Sequence, residues 1–124
     1  MPAPIALQLY TLREAMAQDF EGVVRNVAEI GYVGVEPAGF PGTTPAAAAQ
    51  LFKELGLEVT SAHCPLPVGE KKQESLEIAD ALGLKRIVSG FGRDHFSTLD
   101  KIKATCDQFN EASENAAEKG MTFG

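Results

Sequence analysis

Four times along this chain a helix-like segment runs out in glycine and passes directly into a short β-like stretch. The junctions read Ile30-Gly31-Tyr32-Val33-Gly34-Val35, Leu55-Gly56-Leu57-Glu58-Val59, Leu82-Gly83-Leu84-Lys85-Arg86-Ile87-Val88 and Lys119-Gly120-Met121-Thr122-Phe123. Glycine suits the position after a helix because the chain there turns through positive φ, where a Cβ is strained. An apolar residue follows each glycine and seats the chain on the core. Repetition of this junction describes serial βα units, and strict alternation of strand and helix predicts a parallel sheet with right-handed crossovers. Two architectures satisfy that pattern: a doubly wound open sheet, or part of a (βα)8 barrel.

The units can be read in order. Ile5–Tyr10 alternates, with Ile5, Leu7 and Leu9 on one face and Ala6, Gln8 and Tyr10 on the other. Thr11–Gln18 reads as a linker with room for a helical turn. Asp19 caps a helix whose apolar stripe is Phe20, Val23, Val24, Val27 and Ile30. A second strand spans Tyr32–Glu36, and Thr44-Pro45 opens a helix that buries Leu51, Phe52 and Leu55. A third strand, Leu57–Ala62, leads into His63-Cys64-Pro65. A helix over Glu70–Leu82 buries Leu76, Ala79 and Leu82. Strand four spans Leu84–Ser89. Ser97 and Asp100 stand at capping-box spacing before the longest helix, which is expected to turn Leu99, Ile102, Cys106, Phe109 and Ala116 inward. A fifth strand begins at Met121-Thr122-Phe123.

Charge and cysteine content narrow the function. The net charge is −6 and lysine and arginine form no block. That disfavours nucleic acid and anionic membrane surfaces, which need a concentrated basic patch. No charged leader or long apolar run opens the chain, so it reads as cytoplasmic. Cys64 and Cys106 are 42 residues apart with no CxxC pattern, and are expected to be two reduced, buried thiols.

In either architecture chemistry gathers where strands end and loops begin. That selects Gln8, Tyr10, Glu36, His63 and the loop from Gly90 to His95. A carboxylate in a sheet interior must be paired or hydrated, so Glu36 either serves a ligand or bridges to a neighbouring loop. His63 can bind a ligand or move a proton near neutral pH, but it has no HxH or HxxxH companion to make it a metal ligand. Alternation from Leu57 and Val59 would place His63 on their helix-facing side, so a bulge before Pro65 is needed to bring it to a mouth. His63 and Cys64 are adjacent and point apart on an extended chain, so they form no metal pair. Arg93, Asp94 and His95 read as a solvated turn. Gly90-Phe91-Gly92 lacks the GxGxxG and GxxxxGK[ST] patterns of phosphate loops.

The opening Ile5-Ala6-Leu7-Gln8-Leu9-Tyr10-Thr11-Leu12-Arg13 resembles the first strand and loop of sugar phosphate isomerase/epimerase proteins, the xylose isomerase-like TIM barrels. Ile30–Glu36 is similar to their second strand ending in glutamate, Leu57–His63 to their third ending in histidine, and Leu84–Val88 to their fourth. The resemblance covers essentially all of the chain. It implies a partial (βα)8 TIM barrel: residues 1–124 as the N-terminal half, about four βα units plus the start of a fifth parallel strand, with the C-terminal half absent. It also implies a divalent metal (Mn, Mg, Zn or Co) in the full barrel, which polarises a carbonyl or hydroxyl of a sugar or polyol while a glutamate moves a proton. The family's metal ligands come from later strands, so this chain alone is expected to hold no tight metal and to be inactive. Gln8, Tyr10, Glu36 and His63 would line the first half of the mouth and contact substrate. In the apurinic endonuclease branch of the fold a histidine ending the third strand ligates zinc; the acidic balance speaks against that branch here. Unpaired first and fifth strand edges imply self-association or pairing with a missing half-barrel. The alternatives are a complete small α/β ligand-binding module and a non-catalytic half-barrel assembly subunit.

Overall fold

The structure is a computed structural model and describes residues 2–124. Six short strands alternate with helices: β1 (Ala6–Gln8), α1 (Arg13–Gln18), α2 (Phe20–Ile30), β2 (Gly34–Glu36), α3 (Pro45–Glu54), β3 (Glu58–Val59), β4 (Ala62–His63), α4 (Lys72–Leu82), β5 (Arg86–Val88), α5 (Leu99–Ala117) and β6 (Thr122–Phe123). Local chemistry sets the helix starts. The Asp19 carboxylate accepts from the Gly22 amide at 2.9 Å and the Thr44 hydroxyl accepts from the Ala47 amide at 3.2 Å, each satisfying an orphan donor of the first turn.

The glycine junctions that dominate the sequence share one geometry. Gly31, Gly56, Gly83 and Gly120 all have positive φ. At the last three, the amide of the following residue reaches back five residues: Leu57 to Phe52 (2.8 Å), Leu84 to Ala79 (2.9 Å) and Met121 to Ala116 (3.1 Å). This is the Schellman closure of a helix. Leu57, Leu84 and Met121 are thereby buried at the foot of the next strand.

All strand pairs are parallel, and neighbours follow sequence order: β1-β2-β3, then β4-β5-β6. β3 and β4 are two halves of the segment expected as one third strand. The first half pairs with β2 and the second with β5, so a single segment carries the sheet onward. A doubly wound sheet requires the order to reverse around the first strand. Here β1 is an edge beside β2, which excludes that architecture and leaves consecutive staves of a barrel.

The helix-facing side of the staves is apolar. Leu9, Met16, Val24, Val27, Val35 and Phe52 form one buried cluster, and Ala62, Leu76, Ala79, Ile87, Ala116 and Met121 a second. Val59 and Leu82 pack against both and join them. The opposite face carries Ala6, Gln8, Gly34, Glu36, Glu58, Arg86 and Thr122. At Gly34 a Cβ would lie 2.7 Å from the Glu58 carbonyl oxygen, so only glycine fits between these strands without displacing backbone.

Several expectations are corrected. β1 ends at Gln8; Leu9–Leu12 forms a 3₁₀ turn running into α1, so Tyr10 lies beyond the strand and is 53% exposed. The 3₁₀ turn that starts at Leu9 ends the alternation that groups Tyr10 with Gln8. Ile30 at the end of α2 is 75% exposed. Thr98, not Ser97, caps α5: its hydroxyl accepts from the Lys101 amide at 3.3 Å, while Ser97 donates to the Asp94 carbonyl. The buried face of α5 is Thr105, Ala112, Asn115 and Ala116, with Ile102 and Phe109 half-buried. Leu99 and Cys106 are exposed, so Cys106 is not a core thiol. Two polar anchors set this rotation. The Thr105 hydroxyl donates to the His95 carbonyl and the Asn115 amide to the Pro67 carbonyl, satisfying loop acceptors an apolar residue would leave bare.

Candidate functional site

Register brings the first candidates together. Gln8 and Glu36 are direct partners across β1 and β2, at the C-terminal ends of both strands. The Gln8 Nε2 donates to Glu36 Oε1 at 2.6 Å. The Ser61 hydroxyl, from the segment between β3 and β4, donates to Glu36 Oε2. One carboxylate thus ties three successive staves, with a donor on each oxygen. The reading of Glu36 as paired is met by side chains on adjacent strands rather than by a loop cation.

How Ser61 and His63 reach this side is written in the backbone hydrogen bonds. The β2 carbonyls of Val33, Val35 and Pro37 receive the amides of Glu58, Thr60 and His63 at 3.0, 3.2 and 2.8 Å. A regular parallel ladder advances two residues on both strands; here it advances two and then three on the β3–β4 side. One residue is extra, a β-bulge, which is rare in a parallel pair. Because side chains alternate with period two, the insertion reverses parity beyond it. Ala62 and Cys64 turn into the core, and His63 turns out to the open face opposite Val88. The bulge that the sequence required for His63 to reach the mouth is therefore present.

The turn after His63 is braced from behind. The Ser75 hydroxyl donates to the Pro65 carbonyl. Asn115 Nδ2 donates to the Pro67 carbonyl at 2.8 Å, and its Oδ1 accepts from Lys72 Nζ at 2.8 Å, with Glu118 completing the group at 3.1 Å. Cys64, 3% exposed, shows what burial does there: its thiol is pushed up to about 11 by desolvation and, secondarily, by the Glu74 charge. It is a poor nucleophile and a poor metal ligand at neutral pH.

Tyr10 lies apart from the Gln8–Glu36–Ser61 cluster. The Arg13 guanidinium sits 4.5 Å above its ring and donates to its carbonyl at 3.1 Å. His95 stacks on Phe91 at 4.2 Å, and Phe91 continues through Phe109 to Phe123. That aromatic chain pins the loop after β5 to α5 and β6. Arg93 and Asp94 remain exposed beside it, as a solvated turn would be. Ser61 is the site residue that sequence reasoning missed. Its signal lay in the same parity conflict that flagged His63: a bulge that turns His63 outward needs an extra residue just before it.

Among the described residues no three His, Cys, Asp or Glu side chains converge. These residues therefore do not build a cation cage, and no step routed through a metal follows from them. Among the described residues, too, no helix is long and apolar enough to cross a membrane.

No protein-family model matches the chain, and no curated protein matches it by sequence. Solved structures do match it. A sugar phosphate isomerase/epimerase from Parabacteroides distasonis ATCC 8503 superposes with a TM-score of 0.74 at 21% identity, covering 100% of this chain and 51% of that one. An AP endonuclease, family 2, from Brucella melitensis gives 0.74 at 20% identity, covering 98% and 54%. A xylose isomerase-like TIM barrel protein from Mycobacterium smegmatis, solved in complex with magnesium, gives 0.64 at 13% identity, covering 97% and 53%. The chain spans about half the length of each. It has the fold of part of a xylose isomerase-like TIM barrel.

Proposed function

We propose that this partial xylose isomerase-like barrel is the first half of the substrate-binding mouth of a metal-assisted sugar or polyol isomerase or epimerase. One observation carries the reading: Gln8, Glu36 and Ser61 are locked together at the C-terminal ends of successive parallel staves, where barrels of this kind bind substrate. The open face next to them carries His63, released by the bulge. In this reading Gln8, Glu36 and His63 bind and orient a polyhydroxylated substrate, Tyr10 borders it, and the metal is held by residues outside 1–124. A metal held there would supply Lewis acidity to a substrate carbonyl.

The apurinic endonuclease alternative is disfavoured by the net charge of −6, which repels a phosphodiester backbone. The experiment is carbon-bound proton exchange in D2O, followed by NMR. A panel of ketoses is tested with this chain joined to a polypeptide supplying the remaining βα units and with manganese or magnesium present. Glu36→Gln and His63→Ala should each lower kcat/KM by about 10- to 100-fold. Full exchange activity in both variants would refute the assignment of the mouth.

A further inference from the structure

The Glu36 cluster has a fixed polarity. A carboxylate only accepts hydrogen bonds, so it dictates the orientation of both partners. Gln8 must turn its amide nitrogen toward Glu36, which sends its carbonyl oxygen away from the cluster. Ser61 must spend its single hydroxyl hydrogen on Glu36. What remains for a ligand is the Gln8 Oε1, the unused lone pairs of the Glu36 oxygens and Ser61 Oγ, against one remaining Gln8 N–H. Among the described residues no lysine or arginine hydrogen-bonds to any of the three. Arg13, from the turn after β1, is committed to the Tyr10 ring and carbonyl, with Glu14 at 3.9 Å.

We infer that the Gln8–Glu36–Ser61 end of the mouth is an acceptor subsite for the hydroxyl groups of an uncharged polyol, and that it excludes phosphate and carboxylate groups. The inference rests on the proposed function and deepens it: if the substrate carries a phosphate, that end lies elsewhere on the mouth. Hydroxyls supply the donors this cluster lacks. An anion brings further acceptors against a carboxylate that no cation among the described residues offsets.

The test is an NMR titration of the 15N-labelled chain joined to the polypeptide that supplies the remaining βα units, reading the Gln8 side-chain NH2 signals and the backbone amides of Glu36, Ser61, His63 and Val88. The probes are D-fructose, inorganic phosphate and magnesium chloride, each alone. Fructose should move the Gln8 signals saturably in the millimolar range, and phosphate at equal concentration should leave them in place. Gln8→Ala, checked by the dispersion of the backbone amide spectrum to keep β1 and β2 paired, should weaken the fructose response at His63 by about fivefold, as should Glu36→Gln. Phosphate or magnesium moving the Gln8 signals would overturn the inference. So would fructose perturbing His63 and Val88 but not Gln8, which would leave the proposed function standing. Fructose perturbing no strand-end residue would overturn both.

Discussion

Raising the pH from 8 to 10 should destabilise this fold through Cys64, and replacing Cys64 with alanine should remove that component. The bulge between β3 and β4 turns Cys64 inward as it turns His63 outward, so the thiol reports on the parity that builds the mouth. Its folded pKa is about 11, against 9.0 for the free group, because burial penalises the thiolate. Below pH 9 the folded and unfolded chains both keep the proton, and the contribution is intact. Above it the unfolded chain ionises first, and stability falls until the folded thiol ionises as well. The full difference corresponds to roughly 3 kcal/mol, of which about half is lost by pH 10. Urea melts of the native chain and of Cys64→Ala at both pH values give this as a difference of differences, in which the cavity cost of the substitution cancels. Exposed Cys106 is common to both proteins. Equal pH dependence in the two would mean that Cys64 faces water. His63 would then face the core, and the assignment of the mouth would fail.

Gly34→Ala should cost about 1–3 kcal/mol, because the new Cβ meets the Glu58 carbonyl at 2.7 Å and Ala6 at 3.3 Å; thermal melting measures it, and an unchanged midpoint refutes the close approach. Asn115→Ala should cost about 1–3 kcal/mol by leaving the Pro67 carbonyl without its donor, and should speed amide exchange in the turn after His63 while leaving β1 and β2 unaffected. The β1 edge and the uncovered open face should drive self-association of the isolated chain; sedimentation velocity tests this, and a monomer through the micromolar range counts against it.

Much of the fold is legible in the residues because its signals are local. Glycine before an apolar residue closes α2, α3, α4 and α5, and those junctions alone yield the helix–strand alternation. Gln8 and Glu36 are each legible as strand-end candidates, but their pairing is set by the register of β1 on β2. The errors share a cause. Cys106 and Leu99 were placed inside α5 on hydrophobicity, whereas two polar side chains, Thr105 and Asn115, fix that helix by satisfying carbonyls in distant loops. Tyr10 was placed on a strand that had already coiled into a 3₁₀ turn.

By itself the sequence determined serial βα units, their order along the chain, and the conflict at His63 that only an irregular strand could resolve. Sequential rather than reversed strand order was a tertiary decision, because local periodicity is identical in both architectures. So was the bulge: its extra residue is defined against the carbonyl spacing of β2, a strand more than twenty residues away, and no local propensity records it. Through that long-range register the fold turns Ser61 and His63 toward Glu36's side of the sheet and hides Cys64.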